Sequence, residues 1–132
     1  REVYSGYVKL LGEEHAYTLV TANNYATILV DLQRFEEAKS LMRKTTPVAR
    51  RVLGEGHRLT LKMRLNYAQT LYMNCTSATL NDLHESVTTL EDLERISRRV
   101  LGIAHPFTKG VAFDLSRART ELSLHETPPS PS

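Results

Sequence analysis

Three histidines recur in one setting. His15, His57 and His105 each close the phrase L-G-x-x-H and are followed three residues later by a threonine, Thr18, Thr60 and Thr108. Imidazole is the commonest protein metal ligand, so a metal centre is the first chemistry to weigh. The copies lie 42 and 48 residues apart. Successive units of a helical array are separated by about 10 Å, the packing distance of helices, which is too far for equivalent side chains to share one ion. The histidines therefore read as structural, and no metal site is expected. His84 and His125 stand alone and read as surface residues. The single Cys75 cannot build a thiolate site or a disulfide framework.

A second constellation follows the first. Nine residues after each histidine stand Asn24, Asn66 and Asp114. A carboxamide offers both a donor and an acceptor, so it can pair with a peptide bond whatever side chains flank that bond. Thr27, Gln69 and Arg117 come one helical turn later, and Lys62 one turn before Asn66, which extends the same polar stripe. Asn is a poor helix former, which favours a binding use over a filler role. The competing reading is a polar ladder that ties neighbouring helices together. Tyr25 and Tyr67, next to the two asparagines, read as core.

No other pattern supplies reaction chemistry. There is no glycine-rich phosphate loop, no pair of spaced carboxylates and no nucleophile motif, and Glu13, Glu14 and Glu55 have no partners in the pattern. No active site and no cofactor are expected. Arg50-Arg51 and Arg98-Arg99 precede the second and third phrases, where cations complement a helix C-terminus on an outer rim. Asn74-Cys75-Thr76 matches a glycosylation acceptor but reads as chance in a chain without secretory features.

These residues are positioned by helices. Leu19, Ala22, Tyr25, Ala26 and Leu29 fall at helical spacing, and so do Leu61, Tyr67, Ala68 and Leu71. A second stripe runs through Phe35, Ala38, Leu41, Met42, Val48 and Val52. A shift of 48 lays Leu83, Ser86, Thr89, Leu90, Ile96 and Val100 on it. The extra residues of the longer spacing belong in a turn near Asn74 to Asp82, and Thr79-Leu80-Asn81-Asp82 predicts an N-cap with an acidic N3 residue. Gly12, Gly54 and Gly102 are expected to end helices in the left-handed region. Pro106 suits the first position of a helix, and Pro47 should bend or interrupt the one it lies in.

Composition agrees with such an array. The chain has 132 residues, 41% hydrophobic and 24% charged, with 17 Lys+Arg against 15 Asp+Glu and a net charge of +2. That balance gives no reason to expect nucleic acid or an anionic membrane as partner. No apolar run approaches the roughly 20 residues of a membrane span, and the reading is a cytoplasmic protein. The expected fold is all-α: a right-handed α-solenoid of about six helices in antiparallel pairs, with a 42-residue period and no sheet.

The joint phrase, with Asn23-Asn24-Tyr25-Ala26 and Phe35-Glu36-Glu37-Ala38, resembles the tetratricopeptide repeats of the kinesin light chain type over roughly residues 1–122. That resemblance implies that Ala26, Ala68 and Ala38 are the small residues where paired helices touch. It also implies that first helices line a concave groove for extended peptides, with Asn24 and Asn66 reaching the ligand backbone and Asp114 departing from the pattern. The boundaries that follow are a repeat domain over 1–124. Residues 1–10 end a preceding repeat, 11–52 form one repeat, 53–100 form another with the turn insertion, and 101–124 form a final helix. Residues 125–132 are read as a disordered Pro/Ser tail, and the start in mid-unit suggests a piece of a longer array. The expected function is a non-catalytic module that binds a protein or peptide. The rival is a structural spacer or self-association element, because the ends of an array expose helix faces. RNA reading by helical repeats would need a basic groove, and an enzyme would need a motif that is absent.

Overall fold

The computed structural model describes residues 2–73 and 78–126, with side chains from His15 onward. Among these residues it is all-α, in five helices: α1 Glu2–Asp31, α2 Phe35–Val52, α3 Arg58–Met73, α4 Leu80–Val100 and α5 Pro106–Glu126. The insertion residues Asn74 to Ser77, with Cys75 and the glycosylation match, fall outside the described set, as does the tail from Thr127. The architecture is that of a tetratricopeptide-like helical repeat. It divides into two compact units, Arg1–Met63 and Arg64–Ser132.

In the first unit α1 packs on α2. Leu19, Ala26 and Leu29 from α1 and Ala38, Met42 and Ala49 from α2 are buried at 3% exposure or less. Ala49 and Leu19 close on Met63 from the start of α3, with Val48, Leu53 and Leu59 at the margin. The turn between α1 and α2 is a Schellman motif. Arg34 N–H donates to the Leu29 carbonyl at 2.8 Å and Gln33 N–H to Val30 at 2.9 Å, with Gln33 at φ 62°. The sequence reads as a short, mostly polar turn over Asp31 to Arg34, and the helices stop and start there. The left-handed residue is not legible in it, because a glutamine is unusual in that conformation.

The joints explain the repeated phrase. Gly54 and Gly102 take φ 96° and 95°, a region that side chains with a Cβ avoid. Three residues on, the His57 and His105 imidazoles cap the next helices: the N–H of Leu59 donates to His57 Nδ1 at 3.1 Å, and that of Phe107 to His105 Nδ1 at 3.0 Å. The phrase's threonine adds a tie in the first unit, where Thr60 Oγ1 donates to the Ala49 carbonyl at 3.2 Å. Pro106 opens α5 as expected.

Three sequence expectations need correction. The helix does not end at Gly12: α1 runs unbroken through the first phrase, which is why there are five helices and not six. The first copy has one helix breaker among good helix formers (Leu11, Glu13, Glu14, Ala16). The second adds Gly56 and the third Pro106. A lone interior glycine costs about 1 kcal/mol, which the neighbours can offset. Of the two outcomes expected at Pro47, interruption does not occur, since α2 continues to Val52. Tyr25 is not core but 53% exposed, whereas Tyr67 is buried.

The second unit holds most of α3 with α4 and α5, and α4 packs on α5. Its core is Ala68, Leu71 and Tyr72 from α3, Leu83, Leu90, Leu93 and Ile96 from α4, and Val111, Leu115 and Ala118 from α5. Ser86 Oγ donates to the Ala68 carbonyl at 2.7 Å, so α4 comes close to α3 where the small residue stands. α4 starts at a capping box: Asp82 N–H donates to Thr79 Oγ1 at 3.0 Å, and Thr79 N–H donates to the Asp82 carboxylate at 3.3 Å. The helix therefore begins three residues ahead of the position equivalent to Phe35, as the N-cap pattern predicted.

Candidate functional site

The polar stripe falls on the first helix of each pair. In the first unit α1 presents Asn24 and Thr27, both exposed, and the Thr27 hydroxyl is turned back to the Asn23 carbonyl at 3.0 Å. Asn23, the other half of the Asn pair, is buried at 7% exposure. Sequence periodicity gave it no role. Its burial follows from its place beside Ala26 on the α2-facing side.

α3 carries Lys62, exposed, at the end of the first unit, and Asn66 and Gln69, both half-buried, in the second. They share one side of the helix, opposite Leu61, Ala68 and Leu71, which are buried. The Asn66 carbonyl accepts from Thr70 Oγ1 at 2.8 Å, an ordinary i to i+4 bond that leaves the helix ladder intact.

Asp114 occupies the third ladder position and behaves unlike the asparagines. It is 7% exposed. One carboxylate oxygen accepts the Tyr72 hydroxyl and the other accepts Gln69 Nε2 at 3.0 Å. Asp114 therefore ties α5 to α3 and orients Gln69, while its own charge is withdrawn from the surface. Burial pushes the Tyr72 phenol well above its ordinary value, and the Asp114 hydrogen bond and charge push it further the same way. The phenol stays a donor at any ordinary pH.

Arg117, exposed, lies one turn beyond Asp114. Its guanidinium sits 5.8 Å from the centre of the Phe113 ring and 6.0 Å from that of Tyr72, within the range of cation–π attraction. Phe113 is itself 62% exposed. Gln69, Asp114 and Arg117 are thus brought together around Tyr72. Neither aromatic was singled out in the sequence. The Phe113–Arg117 pair at i, i+4 was the available signal, whereas no pattern in the sequence points to Tyr72.

The other candidates resolve locally. Arg50 Nε donates to Glu55 at 3.1 Å across the joint, and Arg51, Arg98 and Arg99 are exposed in the last turns of their helices. His84 Nε2 lies 3.1 Å from Glu126. Among the described residues no three His, Cys, Asp or Glu side chains converge as a metal site. No described helix is long and apolar enough to cross a membrane.

Comparison with known proteins adds one match: residues 17–75 fit the family model described as tetratricopeptide repeat. No curated protein and no solved structure gives a match. The matched stretch takes in α2, the second joint phrase, α3 and most of the described side-chain stripe of α1. It supports a tetratricopeptide-repeat protein, a class of module that generally mediates contacts between proteins.

Proposed function

We propose that the chain is a non-catalytic, cytoplasmic module of the kinesin light chain type that holds an extended peptide along the exposed sides of its first helices. The observation that carries this reading is the surface of the second unit. Asn66 and Gln69 lie on one side of α3, with Lys62 one turn before Asn66 on the same helix, and Arg117 stands exposed on α5 against two aromatic rings in the same unit as the two carboxamides. An extended peptide brings unpaired N–H and C=O groups, and carboxamides at helical spacing meet both. Asp114 contributes by fixing Gln69, not by touching the ligand. On α1, Asn24 and Thr27 are the equivalent positions.

A peptide array screened against the full chain identifies a ligand, and fluorescence anisotropy then measures its affinity. Asn24→Ala with Asn66→Ala should leave the melt nearly unchanged. Each lost hydrogen bond is worth about 0.5–1.5 kcal/mol, so the pair should weaken binding roughly ten- to a hundredfold. A double variant that binds as well as the parent would overturn the groove reading, and one that unfolds would make the ladder structural.

A further inference from the structure

Two joints share one backbone and differ in one side chain. Gly54 and Gly102 take nearly the same φ, 96° and 95°, and in each joint the histidine N–H donates to the glycine carbonyl at 3.3 Å. In the joint after α2, Arg50 reaches across to the Glu55 carboxylate. In the joint after α4, Arg98 stands where Arg50 does, but Ile103 takes the place of Glu55. Repetition therefore puts Ile103 beside Arg98 and removes the acid that would pair with it.

The result is a tip that is apolar and basic at once. Ile103 is 67% exposed and Val100 46%. Arg98 and Arg99 are exposed in the last turn of α4, and Lys109 in the first turn of α5. From Arg95 to Phe113 the chain has four cations and no carboxylate. Arg95 is paired with Asp92, and the acid nearest before the tip, Glu94, lies in the hollow between α4 and α5 with Arg119. Cations in a last turn complement the helix dipole, but a cation in the first turn of α5 opposes it, and the dipole gives no reason for an isoleucine at the tip. The position is open within the array itself. Glu55 and Val52, the equivalents of Ile103 and Val100, are exposed as well, the glutamate side chain at 50% and the valine at 37%, in a joint with a complete helix pair after it.

We propose that this tip docks on an anionic membrane surface, with Ile103 at the headgroup boundary and Arg98, Arg99 and Lys109 against the lipid headgroups. An aliphatic side chain enters that boundary without a shaped pocket to receive it, while long cationic side chains reach back to the charged layer. Each cation near an anionic leaflet strengthens attachment by about fivefold. A folded protein partner suits the tip less well, because a specific interface engages roughly 20–30 residues a side and the tip offers only these few. The net charge of +2 conceals the patch, since acids elsewhere in the chain average it away. Attachment at one such point is reversible and screened by salt. The tip shares no residue with Lys62, Asn66, Gln69 or Arg117, so it does not depend on the groove reading.

Co-sedimentation of the full chain with vesicles tests it, using phosphatidylcholine alone and with about 30 mol% phosphatidylserine. The parent should bind the anionic vesicles, leave them as salt rises from about 50 to 500 mM, and ignore the neutral ones. Arg98→Ala with Arg99→Ala should weaken binding about twenty- to thirtyfold. Lys44→Ala with Arg51→Ala removes the same charge from exposed positions on α2 and should change binding by no more than about twofold. Ile103→Glu should abolish binding and keep the fold, because it returns an acid to the reach of Arg98. Ile103→Trp gives a chain without tryptophan a single fluorophore at the tip, and its emission should shift to the blue on anionic vesicles only. Circular dichroism checks that each variant is folded. A parent that does not sediment with anionic vesicles overturns the proposal. So does an equal loss in the two double variants, or a tryptophan emission that stays that of water. A chain that ignores vesicles but binds labelled polyglutamate through Arg98 and Arg99 overturns it too, and assigns the tip to an acidic protein.

Discussion

The hydroxyl of Tyr72, on α3, donates to the carboxylate of Asp114, on α5, in the buried core of the second unit. A polar residue at the third ladder position is thereby a fastening between two helices, and its two partners, Tyr72 and Gln69, stand one turn apart on α3. Tyr72→Phe should destabilise the chain by about 1.5–3 kcal/mol, since it removes a hydrogen bond to a charged group and leaves that oxygen short of a donor. The pH dependence has a definite sign. The phenol is raised above its ordinary 10.0 in the folded state, so its contribution is complete below pH 10 and is lost as pH rises further. A thermal melt followed between pH 8 and 11 should fall for the parent and fall less for Tyr72→Phe. Equal slopes would show that the Tyr72 hydroxyl is not held by Asp114.

Asp114 also marks where sequence reading stops. The residue type, the spacing of nine from His105 and the helix it stands on were all legible. Its burial was not, because it depends on a tyrosine of another helix whose hydroxyl reaches back, and periodicity records only which side of a helix is apolar. The capping box at Thr79 was legible because its bonds are local. The histidine caps were legible as a repeated phrase but not as a mechanism. Tyr25 misled because its repeat equivalent Tyr67 is buried, whereas α1 lacks a described helix on that side. The unbroken α1 misled because the phrase alone does not end a helix unless a second breaker follows the glycine.

The second unit also holds a charge pair with an acid signature. Arg64 Nη1 lies 2.8 Å from Asp92 Oδ2, with the arginine side chain 7% exposed and the aspartate 26%. Burial pushes the Asp92 carboxyl up, but the hydrogen bonds and charges of Arg64 and Arg95 outweigh it and hold the group below its ordinary value of 3.8. The stabilisation is therefore present above pH 3.8 and is lost as pH falls through the lower folded value. Asp92→Asn should cost about 1–3 kcal/mol at pH 7 and flatten the acid limb of a urea-denaturation series run from pH 5 to 2. An unaltered limb would mean that other carboxylates govern it.

Two positions of positive φ call for opposite substitutions. Gln33 is held at φ 62° by the Schellman turn after α1, and a side chain there costs about 1 kcal/mol. Gln33→Gly should raise stability by about 0.5–1 kcal/mol. Gly102 lies at φ 95° with nothing within 4 Å of an added Cβ, so Gly102→Ala meets no clash and only the backbone penalty, about 1 kcal/mol of destabilisation. Chemical denaturation of the two variants should therefore move the midpoint in opposite directions. Movement in the same direction would show that one of the turns does not have the φ described.

The three phrase histidines provide the sharpest contrast, because the same residue does a different job in one copy. His105 Nδ1 accepts the Phe107 N–H and His57 Nδ1 accepts the Leu59 N–H, each at the N-terminus of a helix, where the first amides have no partner within the helix. His105→Ala should cost about 0.5–2 kcal/mol, the usual price of a lost cap. His105→Asn should recover most of it, since a carboxamide oxygen can accept the same N–H. His15 stands inside α1 and is exposed. His15→Ala replaces a middling helix former with the best one and should be neutral or stabilising by up to about 0.7 kcal/mol. Thermal melts of the three variants decide the matter. If His15→Ala destabilises as much as His105→Ala, the first phrase forms a capped joint like the other two, and residues 2–11 then belong to a separate helix ahead of it.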